Sequence, residues 1–177
     1  MPFELLSTEI IYIGRAFTVR RERVRLPDSR EASLDIVEHV GSVIILPVDG
    51  MGNLLFVRQY RHAARLDLLE LPAGTLNQGE TPEACARREV REETGMAAGK
   101  LIHAGGFYLA PGYSTEYMDV FIASDLQSDP LLPDADEFLE VEAIPLRKAL
   151  RMAENGEIPD AKSLAAFQLA LPHLKLK

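Results

Sequence analysis

The sequence predicts an α+β sandwich, and three observations predict it. Short apolar or alternating runs recur through the first half of the chain, one sharply punctuated helical segment sits in the middle, and two further helical segments close it. Residues 9–25 (EIIYIGRAFTVRRERVR) alternate apolar and polar side chains around Gly14, which predicts two antiparallel strands. Leu26-Pro27-Asp28-Ser29 supplies a turn, and Ala32 to His39 a further strand. Gly41 to Pro47 is a continuous apolar run of the kind a buried strand shows. Asp49 to Asn53 reads as a hairpin loop, with Leu54 to Tyr60 returning as the partner strand. Leu68 to Leu71 is a brief strand entering Pro72-Ala73-Gly74.

The central helix has clear ends. Thr81 is placed to cap it, Pro82 fits the first helical position, and Gly95 can take the left-handed conformation that closes it. Leu101 to Tyr108 and Tyr117 to Ala123 read as strands separated by a loop at Leu109 to Glu116. A second helix is expected over Leu146 to Asn155, ended by Gly156. A third is expected from Ala161 to Leu171, capped by Asp160 and stopped by Pro172.

The chain has 177 residues, enough for one domain with a sizeable core and a small appended subdomain. A net charge of −8 argues against nonspecific nucleic-acid binding and against anionic membranes, because both need a basic surface. An anionic small molecule needs only local Arg and Lys. The single cysteine, Cys85, cannot form an internal disulfide, which fits a reducing cytoplasm. It lies between alanines in the central helix, where a small packed side chain is expected rather than a catalytic thiol. The N-terminus lacks a basic leader followed by an apolar core, so no export signal is expected. No apolar run reaches the roughly 20 residues that span a bilayer. His39, His62, His103 and His173 show no metal-ligand spacing and are assigned no chemistry.

Function is concentrated in Gly74 to Met96, GTLNQGETPEACARREVREETGM. At about 100° of rotation per residue, Glu89, Glu92 and Glu93 share one helical face. Carboxylates three and four residues apart repel, and a divalent cation reverses the sign of that cost. Hard oxygen donors with no thiolate or imidazole among them favour Mg²⁺ or Mn²⁺ over zinc. The alternative for this stretch is a solvated acidic helix, which would not require the spacing.

That segment carries the signature G-x5-E-x7-R-E-U-x-E-E-x-G-U (U, a bulky aliphatic) at every fixed position: Gly74, Glu80, Arg88, Glu89, Val90, Glu92, Glu93, Gly95 and Met96. The chain therefore resembles the Nudix hydrolases, which cleave a nucleoside diphosphate linked to another group. The resemblance implies an α/β/α sandwich with a mixed sheet over residues 41–177. It further implies an N-terminal antiparallel strand subdomain over 1–40 that pairs with a second copy, giving a homodimer.

By the same resemblance Glu89 and Glu93 are the main metal ligands, Glu92 is a ligand or base beside them, and the Ala73 carbonyl and Glu116 complete the set. Arg88 can pair with Glu92 four residues on, orienting it and offsetting repulsion. Glu80 either favours the helix dipole or takes a metal-binding or bracing role. Pro111, 15 positions beyond Met96 (111 − 96), resembles the ADP-ribose pyrophosphatase subfamily, with Gly112 beside it, as does the tail Asn155 to Ser163. That subfamily places a further acid on a later loop, and the matching stretch is Asp134 to Glu137, with Glu137 first and Asp136 second as base. Arg61 is a candidate for the substrate phosphates or a surface ion pair. Arg15 and Phe17 are candidates for phosphate pairing and base stacking, against a packed Phe.

The resemblance thus implies Mg²⁺-dependent hydrolysis of ADP-ribose to AMP and ribose 5-phosphate. The rival within the class is another nucleoside diphosphate sugar such as GDP-mannose. A rival from another class is a non-catalytic ligand-binding regulator, which would be expected to lose motif carboxylates.

Overall fold

The computed structural model describes residues 2–132 and 138–174. The chain divides into two compact units, one comprising the segment up to Gly41 with Tyr108–Tyr117, the other Ser42–Phe107 with Met118–Lys177.

In the first unit, β1 (Glu4–Ile13), β2 (Thr18–Arg25) and β3 (Glu31–Glu38) form an antiparallel sheet in that order. The strand expected from residue 9 begins five residues earlier, at Glu4 (9 − 4). Cross-strand charge pairs follow the register: Arg21 faces Asp35 and forks onto its carboxylate at 2.7 and 3.0 Å. Arg25, opposite both Glu4 and Glu31, donates to Glu4 at 2.7 Å. The loop over residues 109–116 is tied to β3 through Val37, whose N–H donates to Tyr113 O at 2.8 Å and whose carbonyl accepts from Thr115 N at 3.0 Å.

In the second unit, β7 (Ala73–Thr75), β4 (Ser42–Pro47), β9 (Tyr117–Ser128) and β8 (Met96–Tyr108) form a mixed sheet in the order β7-β4-β9-β8, with β4 and β9 parallel. A second, antiparallel sheet has the order β10-β5-β6, from β5 (Asn53–Arg61), β6 (Leu66–Glu70) and β10 (Leu139–Pro145). The helices are α1 (Pro82–Thr94), α2 (Leu146–Glu154) and α3 (Ala161–Ala170), the last followed by a 3-10 turn at Leu171–His173.

β4 is apolar from Val43 to Pro47 because both its faces are covered. Val43 and Ile45 pack with Cys85, Ala86 and Val90 of α1. Ile44 and Leu46 point the other way, into a cluster with Leu54, Phe56, Val120, Ile144, Ala166 and Phe167. This is the helix–sheet–helix layering that the resemblance implies. Two strands are not anticipated by the sequence reading. β7 is only three residues long, and β10 precedes α2 directly. β8 starts at Met96 rather than at residue 101, because the segment Ala97 to Lys100 is held in the sheet beside β9 and not by an apolar pattern of its own.

The caps of α1 are those expected. Thr81 Oγ1 accepts from Ala84 N at 3.2 Å, Pro82 opens the helix, and Gly95 at φ 73° donates to Arg91 O at 3.0 Å. Thr81→Ala is expected to lower stability by about 1 kcal/mol in urea unfolding. A loss below about 0.3 kcal/mol would mean that packing of α1 on β4, not its cap, fixes the start of the motif helix.

Candidate active site

The site is built where α1 lies against the short strand β7. Its buried stripe includes Cys85, Ala86 and Val90, and also two carboxylates, Glu89 and Glu93, at 7% and 6% exposure. Charged groups that deep need partners. Arg88 supplies them on one side. Its Nη1 donates to Glu89 Oε1 at 2.6 Å and to Glu92 Oε2 at 2.8 Å. Its Nε and Nη2 fork onto Glu80 at 3.0 and 2.9 Å, and Nη2 also reaches Thr75 O at 3.2 Å. One guanidinium therefore holds three motif carboxylates, of which the sequence reading anticipated Glu92 alone.

Of the alternatives for Glu80, bracing is the one seen in its contacts. Its carboxylate braces Arg88 and accepts from Asn77 N at 2.9 Å, closing the loop before the helix. The Arg88 hydrogen bond leads in pulling its pKa from 4.5 to about 2. Arg88 is raised above its ordinary value, first by Glu80 and then by Glu92 and Glu89. Burial pushes the Cys85 thiol well up, with Glu89 adding to it, so no thiolate is available at neutral pH.

Gly74 lets the Glu89 carboxylate approach the backbone. A Cβ on it would stand 1.9 Å from Glu89 Cδ and Oε1, so only glycine lets this carboxylate lie against β7. Next to it, Ala73 N donates to Glu93 Oε2 at 3.2 Å, which sets the Ala73 backbone beside the second buried acid.

Among the described residues no three His, Cys, Asp or Glu side chains are gathered as a ready-made metal cage. The donor chemistry nevertheless fits a hard divalent cation. Glu89, Glu92 and Glu93 present carboxylate oxygens from one helix, and the glycine opposite Glu89 gives its carboxylate a place against the backbone of β7. Glu89, Glu93 and Glu92 are the residues that could hold it.

Arg61 stands in an ion pair, with a buried partner and with its own side chain 40% exposed. It forks onto Glu70 at 2.9 and 2.6 Å. Glu70 is 1% exposed and was missed by the sequence reading, although a lone acid inside Leu68-Leu69-Glu70-Leu71 was a signal for a paired buried charge.

Arg15, Phe17, Pro111, Gly112 and Glu116 lie in the first unit. Phe17 is 43% exposed rather than packed, its ring centroid 6.3 Å from that of Tyr12. Its carbonyl accepts from Gly14 N at 3.0 Å in the turn that carries Arg15. Pro111 and Gly112 form a turn in which Tyr113 N and Ser114 N both donate to Ala110 O, at 3.1 and 2.9 Å. Glu116 N donates to Ser114 Oγ at 3.1 Å. Asp136 and Glu137 fall outside the described residues.

The Glu80–Arg88 pair gives a pH prediction. A carboxyl depressed from 4.5 to about 2 contributes stability that is present above pH 4.5 and lost as pH falls toward 2. Glu80→Gln should therefore be less stable than the parent at pH 7 in urea unfolding, with the difference shrinking steadily between pH 5 and pH 3. A difference independent of pH would show that the variant perturbs the loop by shape and not by charge.

Residues 38–167 match the NUDIX domain. The chain is 37% identical over 174 residues to an ADP-ribose pyrophosphatase of Bacillus subtilis (strain 168), covering 97% of this chain and 92% of the relative. It is 34% identical over 143 residues to a GDP-mannose pyrophosphatase of Yersinia pestis (strain Pestoides F), covering 75% and 71%. In fold it is similar to a solved ADP compounds hydrolase, with a TM-score of 0.88 at 24% identity over 99% of this chain and 95% of that one. With every fixed position of the motif present and three of its carboxylates gathered around Arg88, the chain belongs to the Nudix family and is a Nudix hydrolase.

Proposed function

We propose that this enzyme hydrolyses the diphosphate bond of ADP-ribose in a Mg²⁺-dependent reaction, releasing AMP and ribose 5-phosphate. The observation that carries the reading is the buried carboxylate face of α1, opened by Gly74. Similarity to the Bacillus subtilis ADP-ribose pyrophosphatase along nearly the whole chain supports the choice of substrate.

A diphosphate carries negative charge on its non-bridging oxygens, so an approaching nucleophile is repelled. Mg²⁺, when bound, neutralises those oxygens and lowers the pKa of water. Glu89 and Glu93 hold the cation, with the Ala73 carbonyl and Glu116 as further donors. Glu92 is a ligand or accepts a proton from the attacking water. Arg88 keeps Glu89 and Glu92 from swinging apart and so fixes where those oxygens stand. Glu137 or Asp136 serves as the further base. Arg61, with 40% of its side chain exposed while forked on Glu70, contacts the substrate phosphates. Arg15, Phe17, Pro111 and Gly112 bind the nucleotide sugar.

The site is read as that of a cytoplasmic homodimer. Leu5, Ile10, Tyr12 and Ile13 on β1 are 56%, 61%, 55% and 72% exposed within one chain, an apolar edge suited to a second copy. No helix of the described residues is long and apolar enough to cross a membrane.

A second reading, GDP-mannose as substrate, is favoured by the Yersinia pestis relative. Product release with Mg²⁺ decides between them. AMP from ADP-ribose is expected to form with kcat/KM at least about tenfold above that for GMP from GDP-mannose, roughly 1.4 kcal/mol of transition-state discrimination. The reverse ratio would move the enzyme to the second substrate, and no product from either would remove both.

A further inference from the structure

Glu70 ends β6 and carries two cations. Arg61 forks onto it, Nε on Oε1 and Nη2 on Oε2. Lys162, in the first turn of α3, donates its Nζ to the same Oε2 and pairs with Asp160 Oδ1 at 3.0 Å. The other Asp160 oxygen caps α3, accepting from Ser163 N at 3.0 Å and Ser163 Oγ at 2.6 Å. Ser163 Oγ in turn accepts from Leu71 N at 2.9 Å. The first turn of α3 is thus stitched to Glu70 and Leu71, four and three residues ahead of Gly74.

Two cations and two carboxylates make this cluster neutral, yet its members are not equally accessible. The Lys162 and Glu70 side chains are 14% and 2% exposed, whereas that of Arg61 is 40% exposed. Burial works to raise the Glu70 pKa, and its two cations outweigh it, so the group stays ionised. The Arg61 charge also lies in the field of Glu93 on the carboxylate face. Arg61 is therefore the more exposed of the two cations, and its charge is within reach of an acid of the motif helix.

We propose that Lys162 is a positioning residue for substrate binding: by sharing Glu70 Oε2 it loosens the hold of that carboxylate on Arg61 and leaves the guanidinium able to take a substrate phosphate. The proposal rests on the reading of Arg61 as a phosphate contact. In surroundings of low dielectric an unshared carboxylate would hold Arg61 strongly, and an incoming diphosphate would have to compete for it. With Lys162 on the same oxygen, the negative charge of Glu70 is divided between two cations. Arg61 can then turn toward a second anion without leaving Glu70 bare.

A Lys162 that only staples α3 to β6 would affect stability and leave substrate affinity alone, so the two roles separate in kinetics. The test compares KM, kcat and urea midpoints of Lys162→Met, Lys162→Gln, Lys162→Arg and Arg61→Met on whichever nucleoside diphosphate sugar the enzyme turns over fastest. Lys162→Gln keeps a donor for Glu70 without the charge and stands in if Lys162→Met does not fold. Lys162→Met and Lys162→Gln are expected to raise KM about tenfold with kcat within about twofold, and Lys162→Arg to restore KM. Arg61→Met should raise KM at least as far, and adding Lys162→Gln to it should raise KM no further, because both act through one guanidinium. Parental KM in Lys162→Gln with raised KM in Arg61→Met would overturn the role of Lys162 alone. Parental KM in Arg61→Met would overturn the phosphate role of Arg61 and this proposal with it. Full additivity in the double variant, or failure of Lys162→Arg to restore KM, would likewise overturn it.

Discussion

The guanidinium of Arg88 is the interaction on which the site depends. Glu89 and Glu92 stand on the same side of α1, three residues apart, and Glu93 follows at once. Like charges so placed oppose the helix that carries them. Arg88 places one nitrogen between Glu89 and Glu92 and forks its other two onto Glu80, so the repulsion within the motif becomes an ordered network. An Arg suits this task where a Lys would not, because its planar fork satisfies several carboxylates at fixed angles. Glu80 anchors the arrangement from outside the helix and ties the preceding loop to it through Asn77.

The second constraint is backbone proximity. Glu89 can lie where it does only because Gly74 has no side chain, and Glu93 is met by the Ala73 amide. β7 is held in place by pairing with the fully buried β4, through Ser42–Thr75, Val43–Gly74 and Ile44–Ala73. The cluster of Glu70, Arg61, Lys162, Asp160 and Ser163 then fixes the strand end just before β7. Core packing, a short strand pair and two ion clusters thus converge on a few carboxylate oxygens.

Much of this was legible in the sequence. The ends of α1 could be read because Thr81, Pro82 and Gly95 each act locally, and β4 because burial on both faces writes a continuous apolar run. The acidic face followed from helical periodicity. What stayed hidden depends on partners distant in sequence. β7 and the first residues of β8 are strands by virtue of their neighbours, with no pattern of their own. The Glu80 partner was left open because a loop must fold back eight residues for Arg88 to reach it. The shared oxygen of Glu70 joins residues 92 positions apart, and no spacing rule connects them.

Read as a cation site, the α1 carboxylates repel one another until a cation lies among them. The most direct measurement is thermal unfolding of the parent and Glu93→Gln, each with and without Mg²⁺. Ligand that binds only the folded state raises Tm. Mg²⁺ is expected to raise Tm of the parent and to leave that of Glu93→Gln nearly unchanged, while without Mg²⁺ the variant is as stable as the parent or more so. An equal Mg²⁺-dependent rise in both proteins would mean that the cation does not bind through Glu93.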